Sequence, residues 1–153
     1  MSDAVEAPAP LLEEQLCFAL YSTSRAITKV YAGLLEDLGL TYPQYAAMLV
    51  LWESDGITVQ AIADRLELEG ATATPLIQRL EKMDLVRKAR SKIDARAQDV
   101  FLTETGYAMR AHAIDMPDRL GCALGVSDQD AKALLEGIRS LRNSMAETTN
   151  TTK

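Results

Sequence analysis

The chain has 153 residues, 48% of them hydrophobic and 25% charged, a balance that suits one folded domain and excludes a disordered chain. It contains no run of 18 uncharged apolar residues to span a bilayer, and two Cys with one His are too few for a four-ligand Cys/His zinc site. The net charge of −6 argues against nucleic acid only on average, because residues 72–96 hold seven Lys and Arg against three Asp and Glu, a local +4 that leaves −10 elsewhere.

Residues 1–10 carry Asp3 and Glu6 and no basic run ahead of an apolar stretch. They are expected to be a flexible segment and not a signal peptide, which points to a cytoplasmic protein. Leu12, Leu16, Leu20, Ile27, Val30, Leu34 and Leu38 then recur at helical spacing and predict a single helix over residues 10–39. Such a helix is about 40 Å long, more than a domain of this size needs internally, so its apolar stripe calls for a partner, most simply a second copy. Thr41-Tyr42-Pro43-Gln44 reads as a capping box with Pro in the first turn and opens a helix through Trp52, itself expected in the core.

Asp55-Gly56 ends that helix, and Thr58 caps a short one over residues 59–68. Glu69-Gly70 is the expected turn into a second helix over residues 72–83, with Leu76, Ile77 and Leu80 apolar. Residues 85–90 and 97–102 are strand-like runs separated by the polar residues 91–96, a hairpin directly after that helix. The unit therefore reads as a winged helix-turn-helix. Thr103 caps a further helix to about residue 120, and Ser127-Asp128-Gln129-Asp130 opens the last, ending near Met145 ahead of a polar tail at 148–153. The expected architecture is mainly α, with six helices and a small β-hairpin wing.

Arg79 and Lys82 fall on the polar side of the second helix, with Thr72, Thr74 and Gln78 able to reach base edges or phosphates. Arg87, Lys88, Arg90, Lys92 and Arg96 crowd the hairpin and its tip, and an Arg on such a tip can enter a minor groove. The acidic body does not oppose this, since its charge is screened beyond about 10 Å.

Asp94-Ala95-Arg96 followed by Leu102-Thr103-Glu104-Thr105-Gly106 resembles the wing signature of the MarR (multiple antibiotic resistance regulator) family, a similarity covering residues 11–147. The resemblance implies a homodimer on inverted-repeat operator DNA, with dimerisation helices at 11–38 and 103–147 and a winged helix-turn-helix at about 42–102. It also implies that Asp94 braces the wing while Arg96 enters the minor groove. One departure is Met83-Asp84, where relatives carry a small residue and Gly. Within MarR, Leu16-Cys17-Phe18-Ala19-Leu20-Tyr21-Ser22 and Gly39-Leu40-Thr41-Tyr42-Pro43-Gln44-Tyr45 are similar to the organic hydroperoxide resistance regulators (OhrR). This second resemblance implies Cys17 as the peroxide-sensing thiol and Tyr31 and Tyr42 as its hydrogen-bonding tyrosines. Cys122 falls where the two-cysteine branch has its resolving thiol, which implies a disulfide between subunits.

The chemistry of those residue types fits. A thiolate is the nucleophile toward a peroxide O–O bond, and an ordinary thiol near pKa ~8.5 is only slightly ionised at neutral pH. Phenols donating to sulfur favour the anion. With the helix beginning near residue 10, Cys17 lies two turns in and is expected to gain little from the helix dipole. Tyr21, four residues on, can touch it, whereas Tyr31 is about 21 Å along the axis and could serve Cys17 only from a second subunit. Leu16, Phe18 and Tyr21 would form an apolar rim favouring lipid-like peroxides.

The sequence thus supports a cytoplasmic, homodimeric repressor that holds its operator while reduced and lets go when organic hydroperoxide oxidises Cys17. An alternative is a MarR-type repressor answering to a small aromatic ligand. A thiol peroxidase is disfavoured, because the basic wing would have no purpose there and no Arg or Thr constellation surrounds Cys17. No Gly-rich phosphate loop or Ser/His/Asp arrangement is present, so neither cofactor, metal nor enzymatic activity is expected.

Overall fold

Gln15 decides where the first helix begins. In the computed structural model, which describes residues 9–151, its side-chain amide donates to the Leu11 carbonyl (2.9 Å) and fastens a 3-10 turn, Leu12–Glu14. Gln15 itself is extended (φ −83°, ψ 120°), so the continuous helix expected over residues 10–39 is interrupted. The first α-helix, α1, spans Leu16–Leu34 and is about 28 Å long. A second 3-10 turn, Glu36–Leu38, closes on Gly39 at φ +65°. Cys17 is therefore the second residue of α1, not two turns inside it. Of the expected flexible segment, residues 1–8 lie outside the described residues.

Helix α2 (Tyr42–Glu53) starts as its sequence dictates, with Pro43 in the first turn and the Thr41 amide donating to Gln44 Oε1 (2.8 Å). Thr58 Oγ1 accepts from the Ala61 amide (3.0 Å) and caps α3 (Val59–Leu66). The turn of the helix pair falls earlier than expected. Glu67 takes the left-handed conformation (φ 54°), the Leu68 amide closes on the Ala63 carbonyl, and α4 begins at Gly70 (Gly70–Lys82) instead of residue 72. Glu67 also forms an ion pair with Arg142.

Strands β2 (Val86–Arg90) and β3 (Gln98–Leu102) pair antiparallel as the hairpin pattern demands. Strand β1 (Ile57–Thr58), not expected from the sequence, is two residues that pair with Val100 and Asp99 and make β3 the centre of a three-stranded sheet. Thr103 then caps α5 (Glu104–Ala113), accepting from the Gly106 amide (3.0 Å) and donating to the Asp84 carbonyl (2.6 Å). The single helix expected from Thr103 to about 120 is two. The chain turns at Ile114 and Asp115, and Pro117, lacking an amide hydrogen, sits in the first turn of α6 (Met116–Leu124). Ser127 caps α7 (Asp128–Thr151), which runs past Met145 through most of the expected tail; residues 152–153 lie outside the described residues. The described chain thus has seven α-helices instead of six.

The core lies in the middle of the chain. Leu35, Met48, Leu51, Ile62, Ile77, Leu80, Leu85, Val86, Val100 and Met116 are fully enclosed, whereas α1 buries none of its residues. Leu134, Leu135 and Ile138 of α7 are exposed, as are Leu16, Phe18 and Leu20 of α1. The accessible surface is 11536 Å², against about 7,600 Å² expected of a compact chain of this size. No helix among the described residues is long and apolar enough to cross a membrane.

Candidate functional site

One face of α4 is fixed by the core and the other is left to solvent. Ala73, Leu76, Ile77 and Leu80 point inward, so Thr72, Thr74, Gln78, Arg79 and Lys82 are all exposed. The Thr74 hydroxyl donates back to the Gly70 carbonyl (3.1 Å). A cleft of about 400 Å³ joins this helix to the hairpin, with Thr58, Gln60, Thr74, Lys88, Arg96 and Gln98 in its walls.

The hairpin tip is held by its own hydrogen bonds. Asp94 Oδ1 accepts from the Arg96 amide (2.9 Å), Arg90 Nε donates to the Ala95 carbonyl (3.0 Å), and the Ala97 amide closes on Asp94 O (2.9 Å). Lys92, Arg96 and a 99% exposed Ile93 project from it. The basic residues of the hairpin, crowded there as expected from the sequence, have different surroundings. Lys88 pairs with Glu81 of α4 (3.1 Å), while Arg87 lies over the Phe101 ring (4.6 Å) on the opposite sheet face. Glu81 and Phe101 were not singled out from the sequence, because only cross-strand and cross-element register brings them to these partners.

The departure at Met83-Asp84 is explained by backbone geometry. Asp84 is left-handed (φ 57°), the conformation for which Gly is the default, and Asp tolerates it. Its carbonyl accepts from Thr103, which ties the entry of the hairpin to its exit.

The thiol site is divided between the two ends of α1. Cys17 is exposed in the first turn, where Gln15 supplies no side-chain cap. Leu16 and Phe18 flank it, exposed. Tyr21 engages Arg25, through its hydroxyl (3.3 Å) and its ring (5.5 Å). At the far end, Tyr31 packs on Tyr42 (ring centroids 4.7 Å) and on Tyr45 (5.8 Å), and Tyr45 meets Trp52 edge-on (6.3 Å). Trp52 is partly buried against the core as expected, its indole N–H donating to the Gly106 carbonyl (2.9 Å). Burial, reinforced by Tyr45 and Tyr42, pushes Tyr31 up to about 12, and burial likewise raises Tyr45. Both phenols thus keep their protons at neutral pH. Tyr45 escaped the sequence reading as a cluster member because its role depends on how α2 crosses α1.

Cys122 is exposed near the end of α6 and, like Cys17, is a free thiol. Arg119 donates to the Leu34 carbonyl (3.2 Å), tying α6 to the C-terminal end of α1, about 25 Å from Cys17. One helical turn from Arg119 to Cys122 does not cover that gap, and a disulfide needs Cα atoms within ~7 Å. Beside α5, a cleft of about 870 Å³ carries Asp37, Glu104 and Asp115 with His112 and Arg119, and apart from His112 no aromatic ring lines it.

Residues 29–110 match the family described as "Transcriptional regulator SarA/Rot". The chain is 41% identical to the organic hydroperoxide resistance transcriptional regulator of Bacillus subtilis, over 90% of each chain. It is 40% identical to the HTH-type transcriptional regulator TtmR of Methylorubrum extorquens, over 88% of this chain and 69% of that protein. Among solved structures it is similar to AbfR of Staphylococcus epidermidis. Reduced AbfR bound to DNA matches at 30% identity with a TM-score of 0.71, covering 88% of this chain and 94% of that one. The disulfide-formed AbfR matches at 29% with a TM-score of 0.64, covering 89% and 92%.

Proposed function

Since the chain belongs to the MarR/SarA-like winged-helix family of DNA-binding transcriptional regulators, we propose that it is a redox-sensing repressor working as a homodimer. The observation that carries this reading is the arrangement of α1: an exposed Cys17 at one end, a cluster of tyrosines at the other, and no residue of the helix fully buried by its own chain. Pairing α1 antiparallel with its copy covers the apolar face. It also lays Tyr31 and Tyr42 of one subunit over Cys17 of the other, which no bending within one helix achieves.

In the reduced state the dimer holds an inverted-repeat operator. Thr72, Gln78, Arg79 and Lys82 enter successive major grooves, and Arg90, Lys92 and Arg96 of the wing lie against the adjacent minor groove. The phenols of the partner subunit donate to the Cys17 sulfur, which reacts as its thiolate. The thiolate attacks the distal oxygen of an organic hydroperoxide. The O–O bond breaks, the alkoxide takes a proton and leaves as the alcohol, and a sulfenic acid remains on Cys17. The thiol of Cys122 of the partner subunit then attacks that sulfur, forming S–S and releasing water, and a cellular thiol reverses the bond by exchange. Forming it draws α6 of one subunit toward α1 of the other and changes the spacing of the two recognition helices from the ~34 Å that successive grooves require. The likeness to a protein solved both reduced on DNA and with its disulfide formed supports this reading, as does the 41% identity to a hydroperoxide resistance regulator.

The test is a non-reducing gel run beside operator binding, before and after cumene hydroperoxide. The wild type is expected to give a covalent dimer and release DNA. Cys17→Ser is expected to do neither while binding DNA normally when reduced. Cys122→Ser is expected to form sulfenate without the covalent dimer. Continued release by Cys17→Ser would overturn the redox reading in favour of a ligand-responsive repressor.

A further inference from the structure

The centre of the outward face of α4 is not where its polar residues are. With Ala73, Leu76, Ile77 and Leu80 inward, 100° per residue places Ala71, Pro75, Gln78 and Lys82 along the line facing directly away from the core. Thr72, Thr74 and Arg79 flank that line. All four central residues are exposed, and the two nearest the N-terminus are apolar. The flanking Thr74 spends its hydroxyl proton on the Gly70 carbonyl, so it has no donor left for a base edge.

We propose that Ala71 and Pro75 are specificity-determining residues that read the 5-methyl groups of thymines in the major groove, with Gln78 reading an adenine one turn further on. The N-terminal residues of a recognition helix are the ones that meet base edges. Neither Ala71 nor Pro75 has a side-chain donor or acceptor, so neither can read a purine or cytosine edge. The one apolar group a major groove offers is the thymine methyl. Gln78 lies three residues beyond Pro75 and carries the donor–acceptor pair that matches adenine N6 and N7. Pro75 costs α4 an internal hydrogen bond, since it has no amide to give the Ala71 carbonyl, and an exposed ring there has no packing role in the core to offset that loss. Each half-site is therefore expected to carry thymine opposite the helix N-terminus, followed by adenine.

The proposal rests on the repressor reading, and its test separates the two. Reduced full-length protein is used to enrich a binding site from random-sequence duplexes. Single thymines of that site are then replaced by deoxyuridine, which removes only the methyl group, and affinity is read by fluorescence anisotropy. One or two thymines per half-site are expected to lose about fourfold each, the discrimination of one buried methyl-sized group. Pro75→Ala, which restores the amide and suits the helix, is expected to bind thymine and deoxyuridine equally at one of those positions. Arg96→Ala is expected to weaken both duplexes alike. Deoxyuridine without effect at every thymine, or a penalty unchanged in both Pro75→Ala and Ala71→Gly, overturns this assignment and leaves the repressor intact. Failure to enrich any sequence overturns the repressor and the assignment together.

Discussion

The winged-helix lobe and the terminal helices obey different rules. The lobe, from Leu35 to Met116, supplies every enclosed core side chain among the described residues and ties its connections with caps: Thr58 on α3, Thr103 on α5, and Thr103 again to Asp84. Helix α1 encloses none of its residues fully, only Tyr31 and Leu34 packing in part against the core, and α7 leaves Leu134, Leu135 and Ile138 in water. A segment that packs on itself can fold alone, whereas one that leaves an apolar stripe exposed is completed by another chain. The winged-helix lobe is thus completed by one chain, whereas the terminal helices leave apolar faces for another to cover.

That contrast can be broken most forcefully at α7. Leu135→Glu combined with Ile138→Glu puts charge into the exposed apolar stripe. Sedimentation is expected to show monomers, and operator affinity is expected to fall on the order of 100-fold, as one half-site loses the help of the other. The lobe should melt within a few degrees of wild type. A stable dimer in that variant would show that α7 is not part of the interface.

The converse change strikes the lobe and spares the dimer. A Cβ on Gly106 would lie 1.9 Å from the Leu85 carbonyl oxygen, backbone that cannot swing aside. Gly106→Ala is expected to cost about 1–3 kcal/mol, several degrees of Tm by calorimetry, with the dimer preserved. An unchanged Tm would mean that Gly106 and Leu85 approach less closely than this.

A smaller effect is expected from Arg96→Ala at the wing. Affinity should fall by a similar factor on all sequences, and the slope of log K against log salt should shrink by about 1, the mark of one lost phosphate contact. An unchanged salt slope would remove Arg96 from the interface.

The smallest effect concerns pH. Burial holds Tyr31 near 12 against an ordinary 10.0, so the unfolded phenol releases its proton before the folded one does. The native state then binds more protons in that window, and stability is lost as pH climbs from about 10 through 12, with no change at neutral pH. Phenolate absorbance is expected to show a last-titrating tyrosine that Tyr31→Phe removes. Were the same late phase to persist in that variant, burial of Tyr31 would not be its source.

Local chemistry made much of this legible in the sequence. The Thr58 and Thr103 caps, the Thr41 capping box, the two strands of the hairpin and the mainly helical winged fold all follow from short-range rules, because each depends on residues within a few positions of one another. Two corrections were equally local but subtler: Gln15 bonding back to Leu11 shortens α1, and Pro117 divides the helix expected after Thr103. The rest belongs to tertiary structure. Strand β1 is two residues long and exists only because β3 offers an edge. Lys88 is neutralised by Glu81 and Arg87 rests on Phe101 through register that no periodicity reports. Only the crossing of α2 over α1 gathers Tyr31, Tyr42 and Tyr45 into one cluster, in which burial raises Tyr31 and Tyr45. The sequence by itself determined which segments are helices and which residue types could read DNA or meet a peroxide. The folded chain decided which of those groups are free to act, because desolvation and pairing depend on neighbours that lie far apart along the backbone.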